Sequence, residues 1–300
     1  MPHKNQQFKG TGVAIVTPFD ATGSVDFKAL EKLVDHLCNG KVEYLVVMGT
    51  TGESVTLSKD EKIEILEAVK KANKGRAGVV VGIGGNNTKA VIEEAEIYAL
   101  KGVDAILSVS PYYNRPSQEG IYQHYKALAE AFPLPIILYN VPSRTGSNVT
   151  AETQLRLAHE FKNIIATKEA SGNLEQIMTI IKHKPKDFLV ISGDDLLTLP
   201  IIAAGGDGVI SVLANAYPDF FSKMVHQALN NEMDNARKIH YALLDFTQAL
   251  FADGNPGGIK AALKIMGICE EHVRLPLSNV KPEVFQRITH FIKEIKGLKV

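Results

Sequence analysis

A lysine inside an apolar, β-rich run is chemically conspicuous, and residues 164–170 (IIATKEA) carry one at Lys168. Strand alternation puts Ala166, Lys168 and Ala170 on one face, so two small residues flank one long side chain. Burial disfavours an ammonium relative to a free amine, and a free amine attacks a carbonyl carbon to form an imine. The bland alternative is a lysine that snorkels to water or pairs with the adjacent Glu169. Tyr139 closes the preceding run, where a phenol can move protons during carbinolamine and imine formation. Tyrosine by itself carries little weight, since Tyr44, Tyr98 and Tyr217 read as packing residues. Thr50 and Thr51, between Gly49 and Gly52, offer two hydroxyls and backbone N–H groups to a carboxylate, or form an ordinary hydroxyl turn. Arg144, just beyond Tyr139, can clamp a second carboxylate with paired N–H bonds, or be a solvated loop arginine.

Other chemistries find less support. The nine histidines include no HExxH, and Cys38 and Cys269 are far apart, so no metal site is expected. Gly52-Glu53-Ser54-Val55-Thr56 misses the last glycine of a GxSxG elbow, and no Walker sequence occurs. The run Lys182-His183-Lys184-Pro185-Lys186 reads as a solvated helix end. If Lys168 is the reactive group, the chemistry is a covalent imine on its amine with no separate cofactor; the ion-paired or snorkelling lysine remains the alternative.

Those side chains must be held by something. Short β-rich runs recur at residues 13–19, 44–49, 78–84, 105–111, 135–142, 164–170, 188–194 and 208–215. Most are continuously apolar, as strands buried on both faces are. Between them lie helical patterns. Leu30, Leu33, Val34 and Leu37 form one stripe, Ser58-Lys59-Asp60-Glu61 is a capping box, and Val91, Ile92, Ala95 and Ala99 share a face. Strict alternation implies parallel strands with crossover helices, and eight repeats close a (β/α)8 barrel. The competing open doubly wound sheet needs a Gly-rich phosphate turn, and Gly82-Ile83-Gly84-Gly85 lacks the GxGxxG spacing. Residues 219–229 supply the eighth barrel helix. Residues 235–251, 258–267 and 282–296 follow without alternation, so the expected division is a barrel over 1–230 and a packed helical appendage over 231–300.

In such a barrel the site lies at the C-terminal ends of the strands, which is where Thr50, Thr51, Tyr139 and Lys168 fall. Composition agrees with a globular enzyme: 45% hydrophobic, 22% charged, with 33 basic and 33 acidic residues. Zero net charge removes the electrostatic case for nucleic acid or an anionic membrane. Residues 1–10 show no apolar signal region, no run approaches a bilayer span, and two cysteines suit a reducing cytoplasm.

Four motifs in order then resemble a known family. They are Gly49-Thr50-Thr51-Gly52-Glu53-Ser54, the ten residues from Pro111 to Gly120, Tyr139-Asn140-Val141-Pro142-Ser143-Arg144-Thr145-Gly146, and Ile165-Ala166-Thr167-Lys168-Glu169-Ala170-Ser171-Gly172. Together they resemble the dihydrodipicolinate synthases, among the pyruvate-dependent class I aldolases that also include N-acetylneuraminate lyase. The resemblance implies that Lys168 forms an imine with pyruvate, whose enamine attacks L-aspartate 4-semialdehyde to give 4-hydroxy-tetrahydrodipicolinate, a lysine and diaminopimelate precursor. It further implies a proton relay of Tyr139, Thr51 and Tyr113, the last reaching in from a neighbouring subunit of a dimer or tetramer. Thr50 and Thr51 would hold the pyruvate carboxylate, Arg144 would receive that of the second substrate, and the Ile210 backbone would lie by the lysine.

Two departures from the family pattern stand out. Gly254-Asn255-Pro256-Gly257-Gly258 lacks an expected isoleucine–proline pair. At positions matching a lysine-inhibition site (Ser54, Lys59, Lys62, Asn86, Ala90 and Tyr112), histidines are expected at 59 and 62 and a carboxylate at 90. Two extra cations and a missing anion predict weak or absent feedback by lysine. The competing functions are an aldolase or lyase of a 2-oxo sugar acid, which Arg144 disfavours, and a non-catalytic barrel that senses a carboxylate with Lys168 ion-paired.

Overall fold

The computed structural model describes residues 5–98 and 100–297; Ala99 and the first four residues of the N-terminal stretch lie outside them. Eight parallel strands close on themselves in sequence order. They are β1 (Gly10–Ala14), β2 (Tyr44–Val47), β3 (Gly78–Gly82), β4 (Ala105–Val109), β5 (Ile136–Asn140), β6 (Ile164–Glu169), β7 (Leu189–Ser192) and β8 (Gly208–Ser211). The crossovers are α1 (Phe27–Asn39), α2 (Lys59–Asn73), α3 (Thr88–Ile97), α4 (Gln118–Ala131), the short α5 (Pro142–Thr145) with α6 (Ala151–Glu160), α7 (Leu174–His183) and α8 (Thr198–Ala203). After β8 come α9 (Pro218–Leu229), α10 (Met233–Phe251), α11 (Gly257–Ile265) and α12 (Pro282–Lys296). The chain is thus a (β/α)8 barrel with further helices at its C-terminal end.

Each strand faces two cores. One set of side chains, including Tyr44, Val46, Leu107, Ile137, Ala166 and Ile191, fills the barrel interior. The alternate set, including Leu45, Val47, Ile106, Ile136 and Val190, packs against the helices. Both faces are dry, which is why the runs are almost wholly apolar. The stripe Leu30, Leu33, Val34 and Leu37 is buried as expected, and Ser58 with Glu61 forms the capping box at the start of α2.

The first strand begins earlier than its apolar run suggests, at Gly10 rather than Val13. Gly10-Thr11-Gly12 reads as a turn by composition, yet its register with Gly208, Val209 and Ile210 closes the barrel. The other strands stop short of the expected C-terminal limits, except at the single-residue margin of β6. Residues beyond the ladder are the turns that carry the site. Among the described residues no helix is long and apolar enough to cross a membrane.

Candidate active site

Lys168 lies on the interior face of β6 and is only 6% exposed. Ladder register sets it beside Tyr139 of β5, and its Nζ lies 4.2 Å from the Tyr139 ring centroid. The room expected from Ala166 and Ala170 is real, with Ala166 buried below and Ala170 lining the cavity above. A third small residue completes the sleeve. A Cβ on Gly193 would stand 3.1 Å from Lys168 Cε and 2.7 Å from the Ala170 Cβ. Sequence reading passed over Gly193, because its neighbour across the ladder is not visible in a linear pattern.

Glu169 does not pair with Lys168. It is fully buried on the opposite face of β6, where strand alternation sends it. Its carboxylate accepts from Asn140 Nδ2 at 2.9 Å, Gln154 Nε2 at 2.9 Å, Gln176 Nε2 at 3.0 Å and Ser171 N at 3.0 Å. Neutral amides satisfy that anion and tie the ends of β5 and β6 together. Among the described residues the Lys168 amine therefore has no carboxylate committed to it.

A cavity of about 330 Å³ opens above the amine, lined by Thr50, Thr51, Tyr139, Arg144, Lys168 and Gly193, with Asp194, Asp195, Gln248 of α10 and Asn255 of the α10–α11 junction. A neighbouring cavity of about 270 Å³ shares Thr50, Tyr139 and Arg144 and extends to Ser54, Lys62, Glu94 and Tyr112. The threonines occupy a tight 3-10 turn, Thr50–Gly52, directly after β2. Thr51 is buried, and its hydroxyl oxygen accepts from Asn255 Nδ2 at 2.9 Å. Thr50 is exposed toward both cavities. Arg144 projects from α5, exposed and without an anionic partner among the described residues.

Two predicted site residues stand apart. Tyr113 is 88% exposed with a left-handed backbone (φ 73°) and lines neither cavity. Ile210 is buried in the barrel interior with Tyr139 and Ala166, and lines neither cavity. Asp195 was not anticipated. It is buried, accepts from Val212 N at 3.1 Å and Leu213 N at 2.9 Å, and leaves Oδ1 without a partner. Burial pushes its carboxyl up to about 6.

The matched family is decisive at this point: the model of the dihydrodipicolinate synthetase family aligns with residues 7–295. The chain belongs to this family. A 4-hydroxy-tetrahydrodipicolinate synthase of Flavobacterium psychrophilum is 53% identical over 290 residues, 97% of this chain and 99% of that protein. The solved dihydrodipicolinate synthase of Aquifex aeolicus superposes with a TM-score of 0.93 at 39% identity, covering 98% of this chain and 100% of the other. A dihydrodipicolinate synthase variant described as monomeric superposes at 0.95 with 37% identity, over 99% of each chain.

The expectation of weak lysine inhibition treats Lys62 as a free cation, but Glu94 lies 2.6 Å from its ammonium. That carboxylate also accepts from the Tyr98 hydroxyl at 2.5 Å. Glu94 is one helical turn beyond Ala90 in α3. Lys59 and Ala90 remain exposed and without a compensating charge at position 90.

Proposed function

We propose that this chain condenses pyruvate with L-aspartate 4-semialdehyde to 4-hydroxy-tetrahydrodipicolinate, through an imine on Lys168. The observation that carries the reading is a buried, carboxylate-free lysine amine at the floor of a cavity that also holds two hydroxyls, a phenol and an unpaired guanidinium. The family membership agrees with it. The Lys168 nitrogen attacks C2 of pyruvate, and the carbinolamine releases the carbonyl oxygen as water. Loss of a C3 proton gives the enamine. Its C3 attacks the aldehyde carbon, and the substrate's own amine then displaces Lys168 from C2, closing the ring and restoring the free lysine. One water leaves overall, and no separate cofactor enters these steps.

The side chains divide that work. Thr51, anchored by Asn255 through its oxygen, still has its proton to give to the pyruvate carboxylate. Thr50 lines both cavities beside Tyr139, so it is better placed than Thr51 to pass protons with the phenol. Arg144 receives the second carboxylate, which suits a short amino-acid aldehyde better than a polyhydroxylated sugar acid. Tyr113 joins the relay from a second subunit, which its exposure here supports. That implies at least a dimer, with a dimer of dimers as the full assembly. Ile210, which lines neither cavity, is left no direct contact with substrate in this scheme. Free Cys38 and Cys269 suit the reducing cytoplasm in which we place the protein.

Borohydride reduction with pyruvate, followed by peptide mass spectrometry, tests the central step. A reduced pyruvate adduct on Lys168 is expected, together with loss of several orders of magnitude in kcat for Lys168→Ala. An unmodified Lys168 would favour the carboxylate-sensing barrel. Cleavage of a 2-oxo sugar acid in place of condensation would favour the lyase.

A further inference from the structure

The segment that departs from the family pattern, Gly254-Asn255-Pro256-Gly257-Gly258, joins α10 to α11, and from there the chain reaches back to the threonine turn by two routes. The first is direct, the Asn255 bond to Thr51 Oγ1 at 2.9 Å. The second runs through Lys260, which is 0% exposed. Its ammonium donates to Glu53 Oε1 at 2.5 Å and to the His272 carbonyl at 2.7 Å, and lies 4.2 Å from the centre of the Phe19 ring. Glu53 directly follows the turn. It has a left-handed backbone (φ 53°), unusual for a residue with a Cβ, and both its oxygens are held, the second by Arg274 N at 3.0 Å.

A buried ion pair is a poor device for stability alone, since desolvation offsets much of the attraction. It is a good device for direction, because a charged donor and a charged acceptor tolerate few alternative partners once buried. Neither Lys260 nor Glu53 lines the cavity above Lys168, so neither touches the reacting atoms. Arg274 extends the same fastening. Its guanidinium reaches the Gly23 and Thr56 carbonyls at 2.7 and 2.8 Å and the Glu61 carboxylate at 2.5 Å. Thr17 holds the turn from the other side, donating to the Gly52 carbonyl at 2.7 Å.

We propose that Lys260, through Glu53, and Asn255, through Thr51, are positioning residues by which the C-terminal helices set the carboxylate-binding turn for the 2-oxo acid. The inference rests on the reading that Thr50 and Thr51 bind pyruvate. Arg144 belongs to a different loop with no bond to Glu53, Lys260 or Asn255, so the binding of the second substrate should be spared.

Lys260→Met and Asn255→Ala separate these effects when the KM for each substrate is measured alongside kcat and the thermal midpoint. The pyruvate KM should rise by about tenfold in Lys260→Met and by about threefold or more in Asn255→Ala, with the semialdehyde KM within about twofold of wild type. Concentration dependence of borohydride trapping should shift with the pyruvate KM. If Lys260→Met does not fold, Asn255→Ala decides, since it removes one partly exposed hydrogen bond. Equal rises in both KM values, or a fall in kcat with pyruvate KM unchanged, would overturn the proposal. Wild-type protein that traps no pyruvate would overturn the functional reading and this inference together; normal trapping with unaltered pyruvate dependence in the variants would overturn the inference alone.

Discussion

At the residue scale, the site is a set of groups kept apart from their usual partners. Among the described residues Lys168 has no carboxylate partner, because Glu169 faces away into an amide cage, and Arg144 has no anionic partner. Asp195 is the buried acid of the cavity, and its carboxyl, pushed up to about 6 by burial, makes a prediction about pH. A raised carboxyl pKa means that the folded state holds the proton more tightly than the unfolded chain. Stability therefore falls as pH rises from the unfolded value of 3.8 to about 6, and the penalty is complete above that window. Asp195→Asn should relieve on the order of 3 kcal/mol at pH 7.5 and almost nothing below pH 4. Urea unfolding at both pH values checks this; an equal change at both would count against it. Lys168 was legible in the sequence because its type clashes with its surroundings. Gly193 and Asp195 were not, since a glycine and an acid after a strand are commonplace until the neighbouring strand is placed against them.

At the element scale, the apolar runs and helical stripes located all eight strands and the main helices, because the two periods are set by backbone geometry. Strand limits were less legible. Chain such as Ile15–Val16 stays buried and extended-looking in composition after the ladder has ended, and Gly10-Thr11-Gly12 enters the ladder without any apolar signal. The α10–α11 junction was noticed only as a departure from pattern. Its glycine has a local reason: a Cβ on Gly258 would stand 2.0 Å from the Leu250 carbonyl oxygen, at the end of α10. Backbone meets backbone there, so relief requires moving a helix. Gly258→Ala should cost about 1–3 kcal/mol in chemical denaturation and weaken pyruvate binding in parallel. A variant as stable as wild type would show that the two helices slide freely.

At the scale of the whole molecule, the monomer carries every proposed group but presents Tyr113 to solvent on a left-handed turn. If that phenol serves a partner's cavity, two inactive variants can repair each other. Mixing Lys168→Ala with Tyr113→Ala subunits under exchange conditions yields mixed dimers with one intact cavity each, so about a quarter of wild-type activity should return. No recovery would show that Tyr113 does not serve a partner's cavity. The bonds from Asn255, Lys260 and Arg274 to Thr51, Glu53 and Glu61 span 204, 207 and 213 residues of chain. A ribosome thus releases the threonine turn long before the residues that brace it. All eight strands are synthesised by Ser211, before Asn255, Lys260 or Arg274 exists to brace the anion cradle, and a cut between α9 and Asn255 would separate the strands from all three of those braces.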